Sequence, residues 1–135
     1  MKRVRQDKKR DWIFWAPRIL SIIFILFIAL FSLDVFGNGY GFWGTLLAFL
    51  MHNIPVFILI IVLCISWKYE IVGGIAFILA GLAYIILNII TISMDGFQWY
   101  YLSWIIQISG IAFVIGILFL INWKRKKRKE VKNGR

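Results

Sequence analysis

Four long apolar segments make up most of this 135-residue chain, and short polar or glycine-containing stretches separate them. The segments cover about residues 16–36, 42–67, 71–94 and 100–123. About twenty consecutive apolar residues suffice for a helix to cross the hydrocarbon core of a bilayer. Connections this short make neighbouring helices antiparallel. The pattern therefore predicts an all-α integral membrane protein, an up-down four-helix bundle.

This organisation leaves no room for a separate soluble domain. Residues 1–11 read as a basic polar tail, residues 12–123 as the four-helix domain, and residues 124–135 as a polybasic tail. The tail before Trp12 is too poor in apolar surface to fold by itself. A hydrophobic content of 61% excludes an ordinary water-soluble protein.

Basic residues mark the two ends of the chain. Fifteen of the sixteen lie in the first eighteen and last twelve positions, and Lys68 alone lies between them. Cytoplasmic loops carry the excess of Lys and Arg, so both ends are predicted on the cytoplasmic side of a cell membrane, plasma or inner. The basic start also resembles a signal peptide, but no small-residue cleavage site follows, so we expect an uncleaved first helix.

The net charge of +10 raises the question of nucleic acid. Nucleic-acid binding favours aromatic or polar residues between the cations, and the block after Trp123 is unbroken, so we expect no nucleic-acid partner. We expect the bilayer and its anionic headgroups instead, with Arg18 reaching back to the headgroups from the first helix. The predicted headgroup contacts are Lys124, Arg125, Lys126, Lys127, Arg128 and Lys129.

Polar residues within the spans are the other candidates for function. His52 and Asn53 fall near the middle of the second span, and Pro55 predicts a helix kink that frees the carbonyl of Met51. Polar groups at that depth need partners, either in a site for a solute, proton or ion open to the outside, or in interhelical hydrogen bonds. The candidate intramembrane polar site comprises Asp34, His52, Asn53, Asn88 and Gln107.

Catalytic and cofactor chemistry find no support in the sequence. His52 is the only histidine and Cys64 the only cysteine, and no nucleophile and base occur at a recognisable spacing. We therefore expect no enzymatic activity, no metal and no cofactor. The sequence permits one arrangement for a haem: two copies of the chain would hold it between their two His52 side chains.

Small residues recur at helical spacing and predict close approach of helices, either inside the bundle or between copies. These are Gly44 and Ala48, Ala76 and Ala80, Ala112 and Gly116, and Gly74 with Gly81. The two turns at the far ends of the hairpins also share five residues at an offset of sixty-one positions, from Ser32 and Ser93 to Trp43 and Trp104. This similarity indicates either an internal duplication or the usual enrichment of aromatic residues at membrane interfaces.

Four stretches carry a resemblance to a known family: WAPRIL (15–20), LDVFG (33–37), LMHNIP (50–55) and SWKYEIVGG (66–74). Together they resemble a family of small four-span prokaryotic membrane proteins classed as a domain of unknown function, over about residues 15–87. The resemblance implies the fold and the membrane location, and it transfers no site. Small multidrug transporters have a similar size, but they use a glutamate inside the first span, where this chain has none.

Two functions remain open at this point. We expect a non-enzymatic accessory or assembly protein that binds other membrane helices or lipids, with a membrane-protein partner or a second copy of the chain. The alternative is an oligomeric transporter or channel subunit for a small solute or ion, with an outward-facing polar path through Asp34, His52, Asn88 and Gln107.

Overall fold

The computed structural model describes residues 2–134 of the chain, with side chains from residue 12 onward. This part of the chain is helical, with short connections and no strands. The elements are α1 (Lys2–Phe31), a 3₁₀ helix (Ser32–Gly37), α2 (Gly41–His52), α3 (Ile54–Ser66), α4 (Glu70–Asp95) and α5 (Trp99–Asn133). Three of these segments are long and apolar enough to cross a membrane, and the bent pair of α2 and α3 makes a fourth if it counts as one span.

Both predicted tails are helical in the described structure. Helix α1 begins at Lys2 and α5 continues to Asn133, so each tail extends the adjoining apolar helix. Extension of an existing helix needs no new nucleus, and Lys, Arg, Gln and Glu have good helix propensity. The tails thus need no apolar surface of their own. The basic side chains before residue 12 lie outside the described part.

The helices alternate in direction, and contacts at both ends of the bundle establish this. At one end, Arg18 of α1 bonds to Glu70 at the start of α4, and Asn122 of α5 bonds to the carbonyl of Ile13. We call this the basic end. At the opposite, far end, the rings of Phe31 and Trp104 lie 5.0 Å apart, which joins the end of α1 to the start of α5. Helices α2 and α3 together therefore run the whole way back from the far end to the basic end.

The second apolar segment is broken in the middle. Helix α2 contributes 12 residues and α3 contributes 13, and their axes differ by 43°. Asn53 separates them, and its backbone N–H and its side-chain Nδ2 both donate to the carbonyl of Phe49. Pro55 lies in the first turn of α3, where the N–H groups have no acceptor within that helix, so a proline is tolerated there.

The core lies between α4 and α5 and extends to α1 and α3. The rings of Phe77 and Phe119 are fully buried and stack with centroids 6.1 Å apart. The backbones of α4 and α5 come close at two glycines: a Cβ atom on Gly116 would lie 2.9 Å from the carbonyl oxygen of Gly74. The predicted small-residue contact between these two helices is therefore present within the chain.

Helix α2 is the exception to this packing. None of its twelve described residues is buried, and it contacts chiefly α3 and the 3₁₀ helix, where the rings of Phe36 and Phe49 lie 5.6 Å apart. The predicted pair of Gly44 and Ala48 does not form a helix interface here, because a Cβ atom on Gly44 would meet only the side chain of Tyr40. The two far turns also differ, because the 3₁₀ helix corresponds by the offset to the end of α4, which stays α-helical to Asp95.

Candidate functional site

The predicted polar residues do not come together in the described structure. The side-chain amides of Asn53 and Asn88 donate to carbonyls four residues earlier in the chain, those of Phe49 and Tyr84, at 2.9 and 2.8 Å. Gln107 bonds to Ser103 of its own helix, and Asp34 is exposed at the far end. Nearby carbonyls therefore supply partners for Asn53 and Asn88, and a hydroxyl of its own helix supplies one for Gln107. The polar path remains a prediction without a structural counterpart here.

His52 lies at the break between α2 and α3, and only one of its two ring nitrogens has a hydrogen-bond partner among the described residues. Its Nδ1 atom lies 3.0 Å from the carbonyl oxygen of Ala48, one turn earlier in α2, and the side chain is exposed. A carbonyl only accepts, so Nδ1 donates to it, and Nε2 is an acceptor whenever the ring carries a single proton. Among the described residues nothing donates to it. His52 thus presents one hydrogen-bond acceptor outward from the break between α2 and α3.

The basic end contains a buried ion pair that joins α1 to the connection between α3 and α4. Arg18 is 1% exposed and Glu70 is 6% exposed, and Nη2 of Arg18 donates to Oε1 of Glu70 at 3.1 Å. Nη2 also donates to the carbonyl of Trp67 at 3.3 Å, and Nη1 donates to the carbonyl of Phe14. This position corrects the expectation that Arg18 reaches back to the headgroups. The guanidinium lies within the bundle because a carboxylate and two carbonyls accept hydrogen bonds from it there.

Helix ends and aromatic rings favour this placement. Trp67 follows the last turn of α3, whose carbonyls attract a cation, and Glu70 lies in the first turn of α4, whose amides favour an anion. The guanidinium carbon of Arg18 lies 3.7 Å from the centroid of the Phe14 ring, within the range of a cation–π contact. Two atoms of the pair stay unpartnered among the described side chains: Nε of Arg18 and Oε2 of Glu70.

Two clefts adjoin this ion pair and share Lys68, Glu70 and Lys126 along their walls. The larger has a volume of about 660 Å³, and Phe14, Trp67 and Asn122 also line it. The smaller has a volume of about 350 Å³ and is bounded by Trp123 and Lys127, whose ammonium lies 5.4 Å from the Trp123 ring centroid. Both clefts are therefore lined by Glu70 and several cations, with the Asn122 amide in the larger cleft and the carboxylate of Glu130 in the smaller.

Sequence reasoning missed this cluster, although one signal for it was present. The predicted spans place Arg18 and Glu70 at the same depth, because both lie at the basic end of their helices. Opposite charges at one depth in an apolar bundle need each other as partners. Whether the two side chains face each other depends on the rotation of each helix about its axis. A nearly uniform apolar segment does not define that rotation. Among the described residues, no three His, Cys, Asp or Glu side chains group as a metal site.

Comparison with known proteins gives a family and no activity. A family model described as "Domain of unknown function (DUF7670)" matches residues 5–132, so the chain belongs to this family. The match extends the resemblance beyond residue 87 and includes α5. No curated protein and no solved structure matches the chain.

Proposed function

Since membership of a family of unknown function brings no activity with it, we propose from the geometry that the protein is a non-enzymatic accessory protein of a cell membrane. It crosses the bilayer four times, counting α2 and α3 as one broken span, and both ends lie in the cytoplasm. The distribution of basic residues supports this orientation, because the far turns carry none. The four-span prokaryotic membrane proteins that the sequence resembles are consistent with it.

The exposed acceptor of His52 on the uncovered helix α2 is the observation that carries the proposal. Twelve residues of α2 rise about 18 Å, and the break therefore falls near the middle of a hydrocarbon core about 30 Å thick. Water is absent at that depth, so an unpaired acceptor there is costly. A neighbouring helix that brings a donor to this depth removes the cost and covers α2 at the same time.

The occupant we propose is a transmembrane helix of a different protein, with a hydroxyl or amide donor near mid-depth. A second copy of the chain fits less well. Two copies related by a twofold axis along the membrane normal bring His52 to His52, and each neutral ring then presents the same acceptor without a donor. A contact between copies that is not symmetric generates rings or open arrays rather than a closed dimer.

Substitution of His52 tests the proposal in native membranes. A photoreactive amino acid at Leu47, which is 62% exposed on α2, is expected to form one discrete adduct with a partner. His52→Leu is expected to reduce that adduct at least about fivefold, because the loss of one hydrogen bond inside a membrane costs about 1 kcal/mol. The stability of the isolated protein should not change, since His52 bonds only to its own helix.

Matched controls define the outcomes. Met51→Leu alters the exposed neighbour on α2 and should leave the adduct intact, and a photoreactive group at Leu79, which is 58% exposed on α4, should yield none. An adduct of two copies of the 15.8 kDa chain would replace the partner by self-association. An adduct unaffected by His52→Leu, or none at all, would remove the role of α2.

A further inference from the structure

The polybasic block at the end of α5 has two different faces. Arg125, Lys126 and Lys129 line the larger cleft together with Lys68. Lys124 and Arg128 line neither cleft, although they belong to the same unbroken run of cations. Residues four positions apart lie on one side of a helix, so Arg125 and Lys129 form one pair and Lys124 and Arg128 form another. In a general attraction to an anionic surface both pairs contribute equally. In a specific binding site only the pair that lines the cleft contacts the ligand.

Glu70, which lines both clefts, adds a polar group that a simple anion site does not need. Glu70 is 6% exposed, its Oε1 accepts from Arg18, and its Oε2 has no donor among the described side chains. A buried carboxylate oxygen without a donor is costly, so a ligand that donates a hydrogen bond there is favoured. Four cations surround the same cleft and oppose a further ammonium. An uncharged hydroxyl is the donor that fits both conditions.

Aromatic residues place the cleft at the depth of lipid headgroups. Trp67 and Phe14 line it on one side, and Trp rings are enriched where membranes meet water. Asn122, whose amide bonds to the carbonyl of Ile13, lies within the last apolar turns of α5. The cleft therefore opens between the apolar span and the basic extension, where a phosphate and its glycerol backbone lie in a bilayer.

We propose that the larger cleft binds the headgroup of one phospholipid that joins an anionic phosphodiester to an uncharged hydroxyl, as in phosphatidylglycerol. The phosphate lies among Arg125, Lys126, Lys129 and Lys68, and a headgroup hydroxyl donates to Oε2 of Glu70. This inference rests on the membrane topology of the proposed function and on the headgroup contact predicted for the basic end, which it assigns to particular residues. Lys124 and Arg128 remain free for the general attraction of the surface.

Lipid retention by the purified full chain, measured by native mass spectrometry, tests the site. The probes are phosphatidylglycerol, phosphatidylmethanol, which has the same charge but no hydroxyl, and zwitterionic phosphatidylcholine. We expect phosphatidylglycerol to bind about fivefold more tightly than phosphatidylmethanol, as for one added hydrogen bond, and both to bind more tightly than phosphatidylcholine. Equal binding of the two anionic lipids would overturn the inference and leave the headgroup contact standing. Equal binding of all three would overturn both.

Two double variants separate the cleft from the general charge. Arg125→Gln with Lys129→Gln should weaken phosphatidylglycerol about tenfold or more, and Lys124→Gln with Arg128→Gln less than about threefold. Equal losses in the two variants would overturn the cleft as the site. Glu70→Gln should abolish the preference for phosphatidylglycerol over phosphatidylmethanol. The comparison of lipids on the unaltered chain stands even if this variant fails to fold.

A soluble phosphate ester is the other source of the same chemistry. Glycerol phosphate carries both the phosphate and the hydroxyls but no acyl chains. We expect it not to displace phosphatidylglycerol at equal concentration, because the aromatic walls of the cleft contribute only to a ligand anchored in the bilayer. Displacement at equal concentration would overturn the lipid and assign the cleft to a soluble ligand.

Discussion

Arg18 holds three helices together through one guanidinium. It lies in α1, it bonds to the carbonyl of Trp67 after α3, and it forms an ion pair with Glu70 at the start of α4. Both charges are buried, so each depends on the other for compensation. Breaking a buried pair is far more costly than replacing it by two apolar residues. The pair is thus a single structural unit rather than two independent contributions.

This unit makes a prediction about double substitutions. Arg18→Met or Glu70→Leu alone should lower the free energy of unfolding by about 3 to 5 kcal/mol, because the remaining charge stays buried. The double variant should lose less than either single variant. Titration with sodium dodecyl sulfate from mild micelles, followed by tryptophan fluorescence, measures both. Lys68→Met, a change of an exposed cation in the adjoining connection, should stay within about 0.5 kcal/mol. Additive losses in the double variant would contradict the pairing.

Side-chain partners were the least predictable part of the structure from the sequence. The sequence placed Asn88 and Gln107 within spans and required partners for them, which the structure supplies from the same helix. A polar side chain in a helix always has a carbonyl one turn earlier within reach, so depth alone does not indicate an interhelical bond. The same competition leaves His52 with one satisfied and one free nitrogen.

At the scale of elements, α4 and α5 form the most extensive interface in the described chain. Their close approach depends on Gly74 and Gly116, where no side chain separates the two backbones. Short separation increases van der Waals contact, which is the main attraction between helices where no water is displaced. Phe77 and Phe119 fill the space on the side toward α1 and α3. The remaining helices pack against this pair.

Two glycines of α5 provide a matched test of this interface. A Cβ atom on Gly116 would lie 2.7 Å from Cγ1 of Ile78 and 2.9 Å from the carbonyl oxygen of Gly74, whereas a Cβ atom on Gly110 would meet nothing within 4 Å. Gly116→Ala should therefore destabilise the protein by about 1 to 3 kcal/mol. Gly110→Ala should be neutral or stabilising, since Ala favours the helix. Detergent unfolding of both variants measures the difference, and equal effects would exclude the close contact.

The apolar pattern predicted the elements well where it was continuous. The third span was predicted at about 71–94, and α4 runs from Glu70 to Asp95. The apolar pattern gives less information where polar residues continue a helix. The run of apolar residues stops there, but the polar residues that follow still favour helical structure. This difference explains why α5 continues past Trp123 to Asn133. Pro55 signalled the bend in the second span, but the absence of buried residues in α2 depends on packing that no local pattern encodes.

At the scale of the whole molecule, the basic end and the far end differ in their packing. The basic end is well packed and carries the Arg18–Glu70 pair and the clefts, and the far end is open around α2. The family match covers nearly the whole chain and thus includes both regions. The headgroup cleft and the depth of His52 both depend on how the chain crosses the membrane. Both proposals therefore depend on the membrane topology of the chain.

The accessibility of introduced cysteines in intact cells measures this topology directly. In a Cys64→Ser background, an impermeant maleimide should label Asn38→Cys and Gln98→Cys from outside, and it should label Lys68→Cys and Asn133→Cys only after permeabilisation. This result corresponds to four crossings with both basic ends inside. Labelling of both Lys68→Cys and Asn38→Cys from outside would contradict four crossings. It would make α2 and α3 a re-entrant loop and place the two ends of the chain on opposite sides of the membrane.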